Sequence, residues 1–196
     1  MGIDKYLSME DIISVVTGLL KEKGYRFCVA GGWAVGIWGA VRATEDIDLV
    51  VVTGDDGLDV VEKMLSSRFN VLPHGEMMLE KTGNPLKRFV LTGEMVNDHC
   101  VVDIIPASGE FLEKAVFNCV EIEFHNTSVP VMRIEDLVIM KLMSGRQQDL
   151  RDARMLMKGN MPVDWDYLRE TADGLGVKIR KDSPQRLEEE GKGSDG

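Results

Sequence analysis

Positive charge is scarce in this chain. Its 23 lysines and arginines face 33 aspartates and glutamates, a formal net charge of −10 over 196 residues. No uninterrupted basic run exceeds Lys87-Arg88 or Arg180-Lys181. That argues against a grip on long DNA or RNA, because counterion release needs several Lys or Arg on one face. Cysteine is also scarce: Cys28, Cys100 and Cys119 stand far apart without a C-x-x-C pair, which speaks against a disulfide framework and against zinc. Cys28 and Cys100 fall in β-prone stretches and are expected to be buried thiols. No apolar run approaches the roughly 20 residues of a membrane span. The opening MGIDKYLSMED is acidic and lacks a secretory pattern, so a cytoplasmic protein with no membrane partner is expected. His74, His99 and His125 show no ligand spacing and are expected to be structural or surface residues.

What is present is enough apolar sequence, 44% of the chain, for one sizeable core with a small helical addition. The most informative stretch is VAGGWAVGIWGAVRATEDIDLVVV, residues 29 to 52. In a strand, alternate side chains share a face, so Asp46 and Asp48 emerge together, with Cα atoms roughly 6.6 Å apart. Carboxylates at that separation suit a pair of divalent cations, which sit about 3.5–4 Å apart in two-metal sites. Asp also collects at strand ends for its turn geometry alone. Upstream, a short strand over Arg26 to Ala30 runs into Gly31-Gly32 and a helical Trp33-Ala34-Val35. Glycines there let a phosphate approach backbone N–H groups, or simply make a tight strand-to-helix turn. A third carboxylate, Asp103, interrupts the β-prone HCVVDII of His99 to Ile105. Burying it is costly without a metal or a partner charge; the plainer alternatives are a pairing with Arg or a cap on a neighbouring loop.

The fold class expected is α+β: a mixed or antiparallel sheet with helices packed on one face, plus C-terminal helices. Ser8 caps a helix running to about Lys23, with Asp11 three residues on and Ile12, Val16, Leu19 and Leu20 on its apolar face. Gly24 ends it. Leu58 to Ser67 reads as a helix after the turn-rich Thr53 to Gly57. Glu76 to Lys81 and Lys87 to Thr92 read as strands joined across Gly83-Asn84-Pro85. Glu110 to Val116 reads as a helix, and Val120 to Phe124 and Ser128 to Met132 as strands. The boundaries expected are an α/β domain over 1–132, a helical region over 133–180 packed on it, and a disordered tail over 181–196.

The last third carries a second constellation. Ile134 to Met143 reads as a helix containing Lys141, and Arg146, Asp149 and Asp152 recur at spacing three. On pattern alone this is a solvated salt-bridge ladder.

Gly31-Gly32, thirteen residues, Asp46-Ile47-Asp48-Leu49 and a later strand aspartate together resemble the DNA polymerase β-like nucleotidyltransferase superfamily. The Gly-Gly-Trp-Ala opening and Arg42 to Leu49 are similar to lincosamide and aminoglycoside nucleotidyltransferases, and to abortive-infection toxin nucleotidyltransferases of toxin–antitoxin systems. Trp33 stands where many members carry Ser, as in the antibiotic-modifying branch. Gly36 and Glu45 stand near positions where that branch has Asp and His, which points away from an antibiotic acceptor.

The resemblance implies an enzyme moving a nucleoside monophosphate from a nucleoside triphosphate to a hydroxyl, using two Mg²⁺ ions held by Asp46, Asp48 and Asp103. It implies that Gly31, Gly32, Arg42 and Thr44 hold the triphosphate. Lys141 and Arg146 are candidates for the same anion, and Asp149 and Asp152 for orienting those cations or meeting the acceptor. A small molecule or a protein side chain is the acceptor expected. Transfer RNA is the exception left open, because some toxin-type relatives modify its end. The same fold also serves as a non-catalytic binding module or toxin–antitoxin component. The oligomeric state is not legible in the sequence.

Overall fold

In a computed structural model, residues 6–40, 43–54, 57–78, 85–124 and 127–179 are described. The chain opens with helix α1 (Met9–Glu22). Ser8 Oγ accepts from the Asp11 N–H while the Asp11 carboxylate accepts from the Ser8 N–H, a complete capping box. Ile12, Val16, Leu19 and Leu20 are all buried, as the helical period requires. Strand β1 (Arg26–Val29), helix α2 (Gly31–Ile37), strand β2 (Asp46–Val52) and helix α3 (Asp59–Leu65) follow. Strands β3 (Asn70–Met78), β4 (Pro85–Thr92) and β5 (Cys100–Pro106) lead to helix α4 (Glu110–Phe117). A hairpin of β6 (Val120–Phe124) and β7 (Thr127–Val131) precedes helices α5 (Ile134–Ser144), α6 (Gln147–Lys158) and α7 (Trp165–Gly174).

Among the described residues, seven strands form one mixed sheet in the order β3-β4-β5-β2-β1-β7-β6. The β2/β5 and β1/β7 pairs are parallel; the other four are antiparallel. The centre of the sheet is closed to water on both faces: Phe27, Cys28 and Val29 of β1, and Ile47, Leu49, Val50 and Val51 of β2, are all buried. At roughly 1.5–3 kcal/mol for each large apolar side chain removed from water, this run makes β2 a stiff support for whatever its N-terminal end carries. The expected mixed sheet with helices packed against it is therefore present, and the C-terminal helices are there too. Helix α5 touches both α6 and α7, and meets α2. Trp38 Nε1 donates to the Met132 carbonyl at 2.8 Å, tying the end of α2 to the start of the helical region.

Most element boundaries differ from expectation by one or two residues, and one differs by more. Strand β3 begins at Asn70 rather than Glu76. Pro73 disguises its first half, since proline reads as a strand breaker. The residue is tolerated because β3 is an edge strand, the place in a sheet where proline is accommodated. A bulge between Pro73 and Glu76, with Gly75 at φ 96°, restores pairing with β4. The expected end of that strand at Lys81, the Gly83-Asn84 turn, His125 and the tail over 181–196 lie outside the described residues. No helix among the described residues is long and apolar enough to cross a membrane.

Candidate active site

The site begins with register. Because β2 and β5 run parallel, Asp48 stands directly opposite Asp103, and Asp46 opposite Val101. The i, i+2 rule puts Asp46 and Asp48 on one face, and the pairing brings Asp103 onto that same face. On the other side of β5, Arg88 of β4 stands opposite Asp103. Its guanidinium grips that carboxylate with both prongs, Nε to Oδ1 at 2.8 Å and Nη2 to Oδ2 at 2.7 Å. The same Nη2 reaches Asp46 Oδ2 at 3.2 Å. One guanidinium thus spans aspartates from two strands. Three of the residues that the sequence singled out converge, and their partner is one it did not. The buried Asp103 (4% exposed) is indeed paired with an arginine.

Asp48 is in a different position. Its carboxylate packs against Gly31, so closely that a Cβ built on Gly31 would fall 1.7 Å from Asp48 Oδ2. Gly31 also has φ +57°, a conformation side chains disfavour. Both facts demand glycine there, and they explain the Gly-Gly turn locally: it lets β2 present a carboxylate against the start of α2. The neighbouring Gly32 supplies a backbone N–H hydrogen bond that lowers the Asp48 pKa. Burial first, then the charges of Asp103 and Asp46, outweigh this bond and the attraction of Lys141. The Asp48 carboxyl is pushed up from the ordinary aspartate range to about 6. Thr44 holds the approach to β2, its hydroxyl donating to the Asp46 carbonyl at 3.3 Å. Arg42 lies outside the described residues.

The C-terminal constellation is not the solvated ladder that its pattern suggests. Lys141, Asp149 and Asp152 are buried. Lys141 Nζ bonds Asp149 Oδ1 at 2.7 Å and lies 3.1 Å from Asp152 Oδ2. Asp149 also accepts from Ser144 Oγ at 2.5 Å and from Arg146 Nε at 2.6 Å. Burial alone would raise the Asp149 pKa, but the bonds from Lys141, Ser144 and Arg146 hold it below the ordinary range. Asp152 takes a further bond from Gln148 Nε2 at 2.9 Å. Of the four residues singled out in the sequence, Lys141, Asp149 and Asp152 are enclosed while Arg146 reaches solvent, its side chain 72% exposed.

Both constellations open onto one cavity of about 800 Å³. Gly31, Thr44, Asp46, Asp48, Asp103, Lys141, Arg146 and Asp149 all line it, and Arg88 joins them. Asp152 does not reach its wall; it lies behind Lys141. The cavity is of the size that holds a nucleotide-sized ligand. An apolar wall of Met77, Leu86, Ile105 and Met140 completes it. Arg88 was missed in the sequence because a Lys-Arg pair reads as surface charge. The available signal was strand alternation: Lys87 and Arg88 must face opposite ways. Lys87 is buried against α3, 3.2 Å from Asp59 and 3.0 Å from Glu62, and Arg88 turns to the aspartates.

A family model described as nucleotidyltransferase of unknown function (DUF6036) matches residues 8–188. A search of curated proteins gave no match. Among solved structures the fold is similar to an antigenic nucleotidyltransferase-like protein from Paracoccidioides brasiliensis. There the TM-score is 0.56 at 15% identity, over 85% of this chain and 86% of that one. It is also similar to the antibiotic-resistance factor ANT(2'')-Ia, with TM-score 0.56 and 15% identity over 93% of this chain and 96% of that one. The same factor in complex with adenylyl-2''-tobramycin aligns with TM-score 0.56 and 16% identity, over 87% of this chain and 99% of that one. At such identities the likeness is one of fold.

Proposed function

This chain belongs to the DUF6036 nucleotidyltransferases, and we propose that it is an active one. It moves a nucleoside monophosphate from a nucleoside triphosphate to a hydroxyl of a small molecule or a protein. The observation that carries this reading is the meeting of Asp46, Asp48 and Asp103 on one sheet face, at the wall of a cavity that Lys141 and Arg146 also line.

The donor set fits divalent metal. Three carboxylates are hard oxygen ligands of the type Mg²⁺ takes. Asp48 is held against Asp103 at a cost visible in its raised pKa, and a cation beside it would remove that cost. Among the described residues, no three acidic, histidine or cysteine side chains are already placed to hold an ion. Arg88 stands between Asp46 and Asp103 instead and supplies the compensating charge. Asp46, Asp48 and Asp103 would hold two Mg²⁺, whose chemistry is to acidify the acceptor hydroxyl and neutralise charge on the departing pyrophosphate.

The chain's own residues supply the rest. Gly31 and Gly32 keep side chains out of the phosphate approach. Arg146, exposed and facing the cavity, meets the triphosphate. Lys141, fixed by Asp149 and Asp152, adds a stationary positive charge; Asp149 orients both cations. The acceptor oxygen attacks the α-phosphorus, the bond to pyrophosphate breaks, and Asp103 is the carboxylate nearest the acceptor that takes the hydroxyl proton. With two aspartates on Lys141 and a net charge of −10, a long polyanionic acceptor is disfavoured.

Incubation of the protein with labelled nucleoside triphosphates and Mg²⁺, with and without cell extract, followed by mass spectrometry, tests the proposal. A nucleotide-bearing small molecule or protein, lost in Asp48→Asn, is the expected result. Labelled transfer RNA would move the acceptor to nucleic acid. No product with any nucleotide would return the chain to a non-catalytic binding role.

A further inference from the structure

Arg88 stands between Asp46 and Asp103 on the cavity wall. It does more than balance charge. Its two prongs occupy both oxygens of Asp103, and its Nη2 also holds Asp46. These are oxygens that a metal ion between the two strands would need. A guanidinium and a divalent cation cannot both sit there without strong repulsion. The Arg88 side chain is 30% exposed, whereas that of Asp103 is 5%; the arginine can turn into the cavity while the aspartate stays fixed. Arg88 lines the same cavity as Arg146, so a triphosphate bound there offers it a new bidentate partner.

We propose that Arg88 gates the metal site. Without nucleotide it occupies the place of the cation on Asp46 and Asp103; an incoming triphosphate draws it off and frees both carboxylates for metal. Arg88 is thereby a positioning residue that makes metal occupancy depend on nucleotide, so the metal site is completed only with the substrate in place. Arginine suits this use because its planar fork takes both oxygens of Asp103 while the same Nη2 reaches Asp46.

The inference rests on the assignment of Asp46, Asp48 and Asp103 as metal ligands, and its test separates the two. Mn²⁺ binding to the full chain is measured by electron paramagnetic resonance, without nucleotide, for the wild type and Arg88→Gln. The variant is expected to bind at least about tenfold more tightly, the scale of one charge-assisted hydrogen bond lost as a competitor. Equal or weaker binding by the variant overturns the gate while leaving the ligands in place. Absence of binding by either protein, even with a non-hydrolysable nucleoside triphosphate, overturns both readings. The wild type provides a second readout that needs no variant, the Arg88 Nε–H signal in nuclear magnetic resonance. It is expected to be protected in the free protein and to shift when the triphosphate analogue is added without metal. A signal unchanged by the analogue overturns the gate.

Discussion

The two acidic clusters of the cavity share a residue type and lie against the same space, yet their chemistry is opposite. Around Asp149 every charge is answered: Lys141, Arg146 and Ser144 all donate to it, and its pKa is held down. Around Asp48 the charges are crowded: desolvation, then the charges of Asp103 and Asp46, disfavour its ionised form and push its pKa up to about 6. The α5–α6 cluster is a finished structural joint between two helices, whereas the β2–β5 cluster is folded with a surplus of negative charge that it cannot satisfy by itself. A joint of the first kind stabilises the protein, while a site of the second kind is maintained against stability and is suited to capturing a cation.

The largest effect should come from breaking the finished joint. Lys141→Met leaves Asp149 and Asp152 buried without their shared cation, and a loss of about 3–5 kcal/mol is expected. Urea denaturation at pH 7 reads it directly. A change below about 1 kcal/mol would show that the joint is as open to water as a surface pair.

Next comes Gly31→Ala. The added carbon would overlap Asp48 Oδ2, and φ +57° adds about 1–2 kcal/mol of backbone strain for a side chain. The carboxylate must shift, so transfer should fall by about a hundredfold or more, while circular dichroism still reports a folded sheet.

Asp48→Asn should act in the reverse sense on stability. A carboxyl whose pKa is raised in the folded state takes up its proton more readily there than in the unfolded chain. Its contribution is therefore complete below the unfolded value near 4, and it is lost as pH rises through about 6. The asparagine variant escapes that loss. At pH 8 it should exceed the wild type by about 1–3 kcal/mol, converging with it near pH 4. Parallel denaturation curves at the two pH values check the sign.

The smallest effect belongs to Arg146→Ala. Its guanidinium is mostly exposed, and stability should change by less than about 1 kcal/mol. Nucleotide affinity, measured by calorimetry, should nevertheless weaken.

How much of this could be read in the sequence depends on distance along the chain. The capping box of Ser8 and Asp11, the parity of Asp46 and Asp48, and the Val120–Phe124 strand are local, and short-range periodicity conveys them. The membership of Asp103 in the cluster was legible only as an anomaly, a charge in a β-branched strand. The β2/β5 pairing that resolves it joins residues 55 positions apart, Asp48 and Asp103. Arg88 was illegible as a site residue, because nothing near it announces the register of β4 on β5. A spacing of three placed Arg146, Asp149 and Asp152 together, and the family resemblance joined Lys141 to them. It said nothing of the packing that hides three of them from water, since burial comes from the neighbouring elements rather than from the helix itself.

The central claim is that the crowded β2–β5 aspartates form a cation site completed by metal and nucleotide. Its most direct test is the melting temperature of wild type and Asp48→Asn at pH 8, with and without Mg²⁺ and a non-hydrolysable nucleoside triphosphate. The account predicts that ligand raises the wild-type melting temperature through binding linkage, while the variant starts higher and gains little. A wild type indifferent to every nucleoside triphosphate with Mg²⁺, or a variant stabilised by them as much as the wild type, would contradict it.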